Sequence, residues 1–292
     1  MVKVGSKKVR LLGILALVVV MFLGWNILSY GQNVYVVGTS ADYPPFEWVD
    51  GNGNYVGFDM DVIRSIAILE GIKINIKDIG FDALVPALKS GKIDIIAADM
   101  TITAERAKVV SYSEPYWASD FDILVRKGSN LNVVTALSQG HKVGAQTGTT
   151  QADFLDNLKK SGINVQIKLY ETNDLAIMDL LAGRIDTFIG DSPVSRAFAK
   201  SHPDKLVDIG VIHTGENAGF AVKKGDPKGI LPLIKDGLSK LHSTGIWDNL
   251  VKAYFTGNLD KITTSYAKCK HYFKSGDPVS YAAALASSMT EK

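Results

Sequence analysis

A chain of 292 residues, 46% hydrophobic and 21% charged, has room for one large or two medium domains with an ordinary core. A net charge of +2 and the lack of a basic run beyond the first thirty residues exclude nucleic acid as the partner and favour a small molecule. Five scattered histidines without metal-ligand spacing and a single cysteine, Cys269, exclude a structural zinc centre and an internal disulfide, and no cofactor or metal is called for.

The chain opens with Lys3, Lys7, Lys8 and Arg10 ahead of an apolar run from Leu11 to Leu28. That run lies between the roughly 7 to 15 residues of a cleaved signal core and the about 20 of a spanning helix. Residues 1–31 therefore read as an export signal or a retained N-terminal hydrophobic helix. Positive charge on the amino side keeps that end in the cytoplasm, and everything after Gln32 falls outside. No cysteine follows the leader to carry lipid, so any anchor is the peptide itself.

Val34 to Gly38 reads as a first strand. The following loop, Thr39 to Phe46, contains Pro44 and Pro45, which oppose regular structure and leave Tyr43 exposed. A turn at Asp50–Asn54 precedes a helix opened by Gly57-Phe58-Asp59-Met60-Asp61-Val62-Ile63, with acids in its first turn where the macrodipole favours them. Strand and helix then alternate, a βαβ pattern that implies a largely parallel sheet with covered faces.

One sentence of structure is written twice. Leu88 to Asp99 and Leu180 to Asp191 share Leu-x-x-Gly-Lys/Arg-Ile-Asp, three further residues, a small residue and an Asp. Gly91 and Gly183 stand where a left-handed helix cap is wanted, and the apolar runs Ile93–Ala97 and Ile185–Ile189 read as strands buried on both faces of a parallel sheet. Ligands of open α/β sheets sit beyond the carboxyl ends of the strands, so Asp99 and Asp191 each mark a binding edge.

A second alternation begins near Asp120: a strand Phe121–Val125, a strand Lys142–Ala145, a helix from about Gln151 and a strand near Ile167, ending about Glu216. Phe220-Ala221-Val222 and the helical spacing of Leu231, Ile234, Leu238 and Leu241 then return to the first lobe. Residues 32–116 with 220–257 make lobe 1, and residues 120–216 make an inserted lobe 2. The two crossings, Tyr116–Asp120 and Glu216–Phe220, form a double hinge that allows closure around a ligand. Residues 258–292 fit neither lobe, although Asp277-Pro278 suits the start of a short Ala-rich helix.

Candidate binding residues follow. Thr103 is a good N-cap and places Arg106 in a first helical turn, where a cation opposes the macrodipole and an anion would repair it. The free N–H groups there, the Thr101 hydroxyl and the guanidinium fork suit a carboxylate; the alternative is an Arg106 paired with Glu105 or solvated. Gln146-Thr147-Gly148-Thr149-Thr150 precedes another helix, so Thr149 and Thr150 offer a second anion-friendly start. Two such starts and two strand-end carboxylates, divided between hinged lobes, suit a zwitterion, of which an α-amino acid is the simplest. Tyr43 and Phe81 supply apolar walls, or pack in the core.

These motifs, in this order from Val34 to Phe255, resemble amino-acid-binding proteins of the polar amino-acid ABC importer family, solute-binding protein family 3. The resemblance implies a two-lobed α/β periplasmic-binding-protein fold of type II, with two parallel-rich sheets joined by a double hinge. It implies that Arg106 and Thr150 hold the ligand α-carboxylate, Thr101 and Asp191 the α-ammonium, that Tyr43 and Phe81 flank the side chain, and that Gln146 contacts it. Asp99 departs from the Gly or Ser common in relatives and points to a polar or basic amino acid. The partners implied are that amino acid and a membrane permease, with the ATPase subunit engaged indirectly, and a monomeric, extracytoplasmic protein is expected. The competing reading on the same fold is a cyclohexadienyl or arogenate dehydratase with Asp99 as general acid. A receptor's sensor lobe would need a second spanning segment or an output domain, and the sequence has neither.

Overall fold

The computed structural model describes residues 34–290; the leader read as a signal or anchor lies outside the described residues. β1 (Val34–Thr39) is followed by the short strands β2 (Asp42–Tyr43), β3 (Glu47–Val49) and β4 (Tyr55–Val56), which make a small antiparallel sheet. The prolines, joined by a cis Pro44–Pro45 bond, do not abolish regular structure as the sequence implies. Proline removes only its own N–H, and Asp42 and Tyr43, which precede the pair, remain free to bond opposite Trp48 and Glu47. α1 (Phe58–Leu69) starts from Gly57, held at φ 131°, where a Cβ would run into the Phe46 carbonyl.

β5 (Lys73–Asp78), α2 (Phe81–Ser90) and β6 (Ile95–Ile96) complete the first βαβ unit, with β1 parallel to both β5 and β6. Gly91 closes α2 in the left-handed region at φ 78°. Beyond β6 come α3 (Ala104–Ala107) and β7 (Val110–Tyr112).

The chain then leaves on β8 (Trp117–Arg126) and builds α4 (Val133–Ala136), β9 (Lys142–Gln146), α5 (Thr150–Lys160), β10 (Gln166–Tyr170), α6 (Asn173–Leu181), β11 (Thr187–Asp191) and α7 (Ser192–Ser201). It returns on β12 (Leu206–Ala218), and β13 (Ala221–Lys223) rejoins the first sheet. The strand orders are β5-β1-β6-β13-β7 and β10-β9-β11-β8-β12. Two lobes of a type II periplasmic-binding fold result. The repeated strands β6 and β11 are buried on both faces, but each has one parallel and one antiparallel neighbour. The antiparallel neighbours, β13 and β8, are the strands that carry the chain back to lobe 1 and out to lobe 2. β8 and β12 run side by side from Arg126 opposite Leu206 to Trp117 opposite Ala218, which makes both crossings one paired ribbon.

After α8 (Ile230–Ser243) and α9 (Ile246–Val251) the chain continues into α10 (Ile262–Cys269), α11 (His271–Ser275) and α12 (Pro278–Thr290). The sequence leaves residues beyond 258 outside both lobes, yet α12 packs on α9, α10 and α1 and buries Tyr281, Ala282, Leu285, Ala286 and Met289 in the core of the first lobe. Asp277 does cap it, accepting from the Ser280 N–H at 3.0 Å. Inside this core the fully buried Asp61 is satisfied by the hydroxyls of Tyr254 and Tyr281 and by Arg64, so the first helix and the last are tied through one carboxylate. Among the described residues no helix is long and apolar enough to cross a membrane.

Candidate functional site

The nine side chains singled out from sequence, Tyr43, Phe81, Asp99, Thr101, Arg106, Gln146, Thr149, Thr150 and Asp191, line one tight pocket. β6 delivers Asp99 and Thr101, β9 delivers Gln146, and β11 ends in Asp191, so the walls are the carboxyl ends of strands from both sheets. Ser40, Glu47, Ala98 and Gln151 complete the lining.

Arg106 sits as its spacing predicts. Thr103 caps α3 by accepting the Arg106 N–H at 3.1 Å, and the guanidinium donates to the Thr101 carbonyl at 2.8 Å and, across the cleft, to the Gly148 carbonyl at 2.9 Å. The Phe81 ring lies 5.5 Å from the guanidinium carbon, close enough for a cation–π contact. Glu105 pairs with Lys108 instead, so the alternative of an Arg106–Glu105 pair is not realised.

Thr149 caps α5, and its neighbour Thr150 donates its hydroxyl to Glu216 Oε2 at 2.8 Å. Thr101 donates to the same oxygen at 3.3 Å. Glu216 on β12 thus joins one threonine from each lobe. The sequence identifies its segment as a hinge crossing but gives no local sign that its carboxylate reaches the site.

Tyr43 is more than an apolar wall. Its hydroxyl donates to Asp191 Oδ2 at 2.6 Å and accepts the Asp191 N–H at 3.0 Å. Burial pushes the Asp191 carboxyl up to about 7, with the Glu216 charge adding to the rise and the Tyr43 hydrogen bond opposing it. Next to Tyr43, the buried Asp42 accepts from the Asn173 N–H at 2.6 Å, at the start of α6, and from Gln146 Nε2 at 3.2 Å. Gln146 also donates to the Glu171 carbonyl at 3.0 Å and accepts from Asn173 Nδ2 at 2.9 Å, so its amide joins the lobes while lining the pocket.

Asp99 has φ 40°, in the left-handed region, and its N–H donates to Asp59 Oδ2 at 2.8 Å. Asp59 also takes the Tyr116 hydroxyl at 2.6 Å, so an acid in the first turn of α1 fixes the backbone of the pocket loop. The sequence assigned that acid to the macrodipole alone. Burial first, then the charges of Asp191, Asp59 and Glu216, hold the Asp99 carboxyl well above the usual carboxylate range.

Two α/β lobes on a paired hinge ribbon, enclosing one small polar pocket at their strand ends, define a solute-binding protein of the type II periplasmic class. The chain belongs to the bacterial extracellular solute-binding proteins, family 3, whose sequence signature matches residues 35–257. A probable histidine-binding protein of Neisseria gonorrhoeae is 34% identical over 224 residues, covering 76% of this chain and 83% of that protein. Among solved structures, an ancestral arginine-binding protein bound to arginine is 36% identical with a TM-score of 0.73, covering 77% of this chain and 99% of that one. An ancestral amino acid-binding protein, a precursor of cyclohexadienyl dehydratase, is 35% identical with a TM-score of 0.68, covering 76% and 95%.

Proposed function

We propose that this protein captures a polar or basic L-amino acid outside the cytoplasmic membrane and delivers it to an ABC importer. The observation that carries this reading is the division of charge across the pocket. Arg106 from lobe 1 and the hydroxyl and N-terminal turn at Thr150 from lobe 2 suit an α-carboxylate, while Thr101 and Asp191 suit an α-ammonium. Tyr43 and Phe81 flank the ligand side chain. Relatives that bind histidine and arginine support the ligand class. The protein acts as a monomer without a cofactor and performs no chemistry; its closed face is read by a membrane permease, and ATP is hydrolysed by that permease's partner. The leader exports the chain and is either cleaved or kept as an anchor.

Calorimetric titration with the twenty amino acids, prephenate and arogenate tests this. Saturable heat from one amino acid or a small polar set is the expected result. Sustained heat with prephenate or arogenate would replace it with the dehydratase reading, which the buried Asp99 carboxyl and the dehydratase precursor among the similar structures favour. No response to any of these compounds would reject both.

A further inference from the structure

The pocket holds more carboxyl groups than the α-ammonium of an amino acid can satisfy. Glu47, Asp99 and Asp191 line it, and the cation among the lining residues is Arg106, whose terminal nitrogens already reach the carbonyls of Thr101 and Gly148. Asp191 has the Tyr43 hydroxyl. Asp99 is 5% exposed, and neither of its carboxyl oxygens has a hydrogen-bond partner among the described residues. Glu47 is 1% exposed, and its Oε2 is equally without a partner. A buried carboxyl in that condition either keeps a proton or receives a cation.

The surroundings of Asp99 are acidic on every side. Asp191 ends β11, Asp59 lies on α1, Glu216 on β12 and Glu47 on β3; the hydroxyls of Tyr43 and Tyr116 are spent on Asp191 and Asp59. The Asp99 backbone is also held by Asp59, in a conformation that Asp and Asn tolerate better than most side chains. The side chain is therefore held at the pocket wall rather than turned away from it.

We propose that Asp99 sets the charge of the ligand: together with Glu47 it receives a second positive group, carried on the ligand side chain. This deepens the amino-acid reading above and rests on it. The proton balance follows. Burial first, and then the charges of the neighbouring acids, raise the Asp99 carboxyl well above the usual carboxylate range and so favour its neutral form before the ligand enters. A guanidinium or ammonium placed against it favours the carboxylate, so the proton it held leaves to solvent as the cation arrives. A neutral side chain of the same shape makes no such exchange.

The test is calorimetric titration of the full chain, kept in a mild detergent, with L-arginine, L-lysine and L-citrulline, in two buffers of different ionisation enthalpy. L-Citrulline has the shape of arginine without its side-chain charge. The expected result is that arginine or lysine binds at least tenfold more tightly than citrulline at pH 7.5 and releases more protons than citrulline does. Asp191, raised to about 7 and set against the α-ammonium, gives both ligands a common fall in affinity toward pH 6, and affinity for the cationic ligand falls more steeply than that for citrulline. In Asp99→Asn, which keeps the shape and tolerates the backbone, the preference for the charged ligand falls at least tenfold and the difference in pH slope between the two ligands is lost. An intact preference in Asp99→Asn overturns the proposal, and so do equal pH slopes for arginine and citrulline in the unaltered protein, which needs no variant. If amino acids bind without regard to side-chain charge, the Asp99 assignment alone fails; if none binds, the amino-acid reading fails with it.

Discussion

Arg106 is fixed by contacts that leave its charge facing the pocket: a capped turn beneath its backbone, an aromatic ring beside its guanidinium and two carbonyls at its nitrogens. A carboxylate that replaces a carbonyl there gains charge-assisted bonds of about 1.5–3 kcal/mol each. Arg106→Ala should therefore weaken binding of every amino acid by about 100-fold or more on two such bonds, read by calorimetry; unchanged affinity would remove Arg106 from the site. The buried acids make a separate prediction about stability. Burial raises Asp42 to about 6, and Asp59 and Asp191 to about 7. An acid with a raised folded pKa binds its proton more tightly in the folded state, so its contribution is full below the unfolded value and is lost as pH rises through the folded one. The melting temperature measured without added amino acid should accordingly fall between pH 5 and pH 8. A curve that rises across that window would contradict the burial of these carboxyls.

Elements were legible where their cause is local. The duplicated Leu-x-x-Gly motif specifies a helix, a left-handed turn and a buried strand through neighbouring residues; both copies form in that order, with Gly91 at φ 78° and Gly183 at φ 73°, although the first strand keeps only Ile95–Ile96 and the second is shifted to Thr187–Asp191. Arg106 and Thr150 were legible for the same reason, because an N-cap and the turn after it are read from consecutive letters. Glu216 was not: it bonds to Thr150 across 66 residues, and Asp42 meets the start of α6 across 131, distances over which no periodicity carries information. α12 escaped for another reason. Its stripe of Tyr281, Ala282, Leu285, Ala286 and Met289 has helical spacing, but alanines on the opposite face blur it and nothing local says which lobe it meets. Its place in the core predicts that Leu285→Ala costs about 2–5 kcal/mol in denaturant unfolding. A change below about 0.5 kcal/mol, the usual result for a surface position, would mean that the extension is only laid on the lobe.

At the scale of the whole molecule, the first lobe reaches the second at points around one pocket. On β2, Asp42 takes the N–H of Asn173 and Tyr43 takes Asp191, while Arg106 reaches the Gly148 carbonyl. The same groups thus hold the lobes together and line the site, so affinity contains a conformational term, the fraction of molecules whose lobes are joined. Tyr43→Phe isolates that term because it keeps the ring against the ligand and removes only the hydroxyl given to Asp191. A hydrogen bond to a charged group is worth about 1.5–3 kcal/mol, so the ratio of joined to open lobes should fall roughly 10- to 150-fold. If the hydroxyl acts as a clasp, affinity for every ligand should drop by one common factor, with the arginine-to-citrulline preference untouched. Small-angle scattering at subsaturating ligand should show a larger radius of gyration than in the unaltered protein. A change in preference instead would make Tyr43 a direct reader of the side chain, and the burden of holding the lobes would pass to Asp42 and its partners on α6.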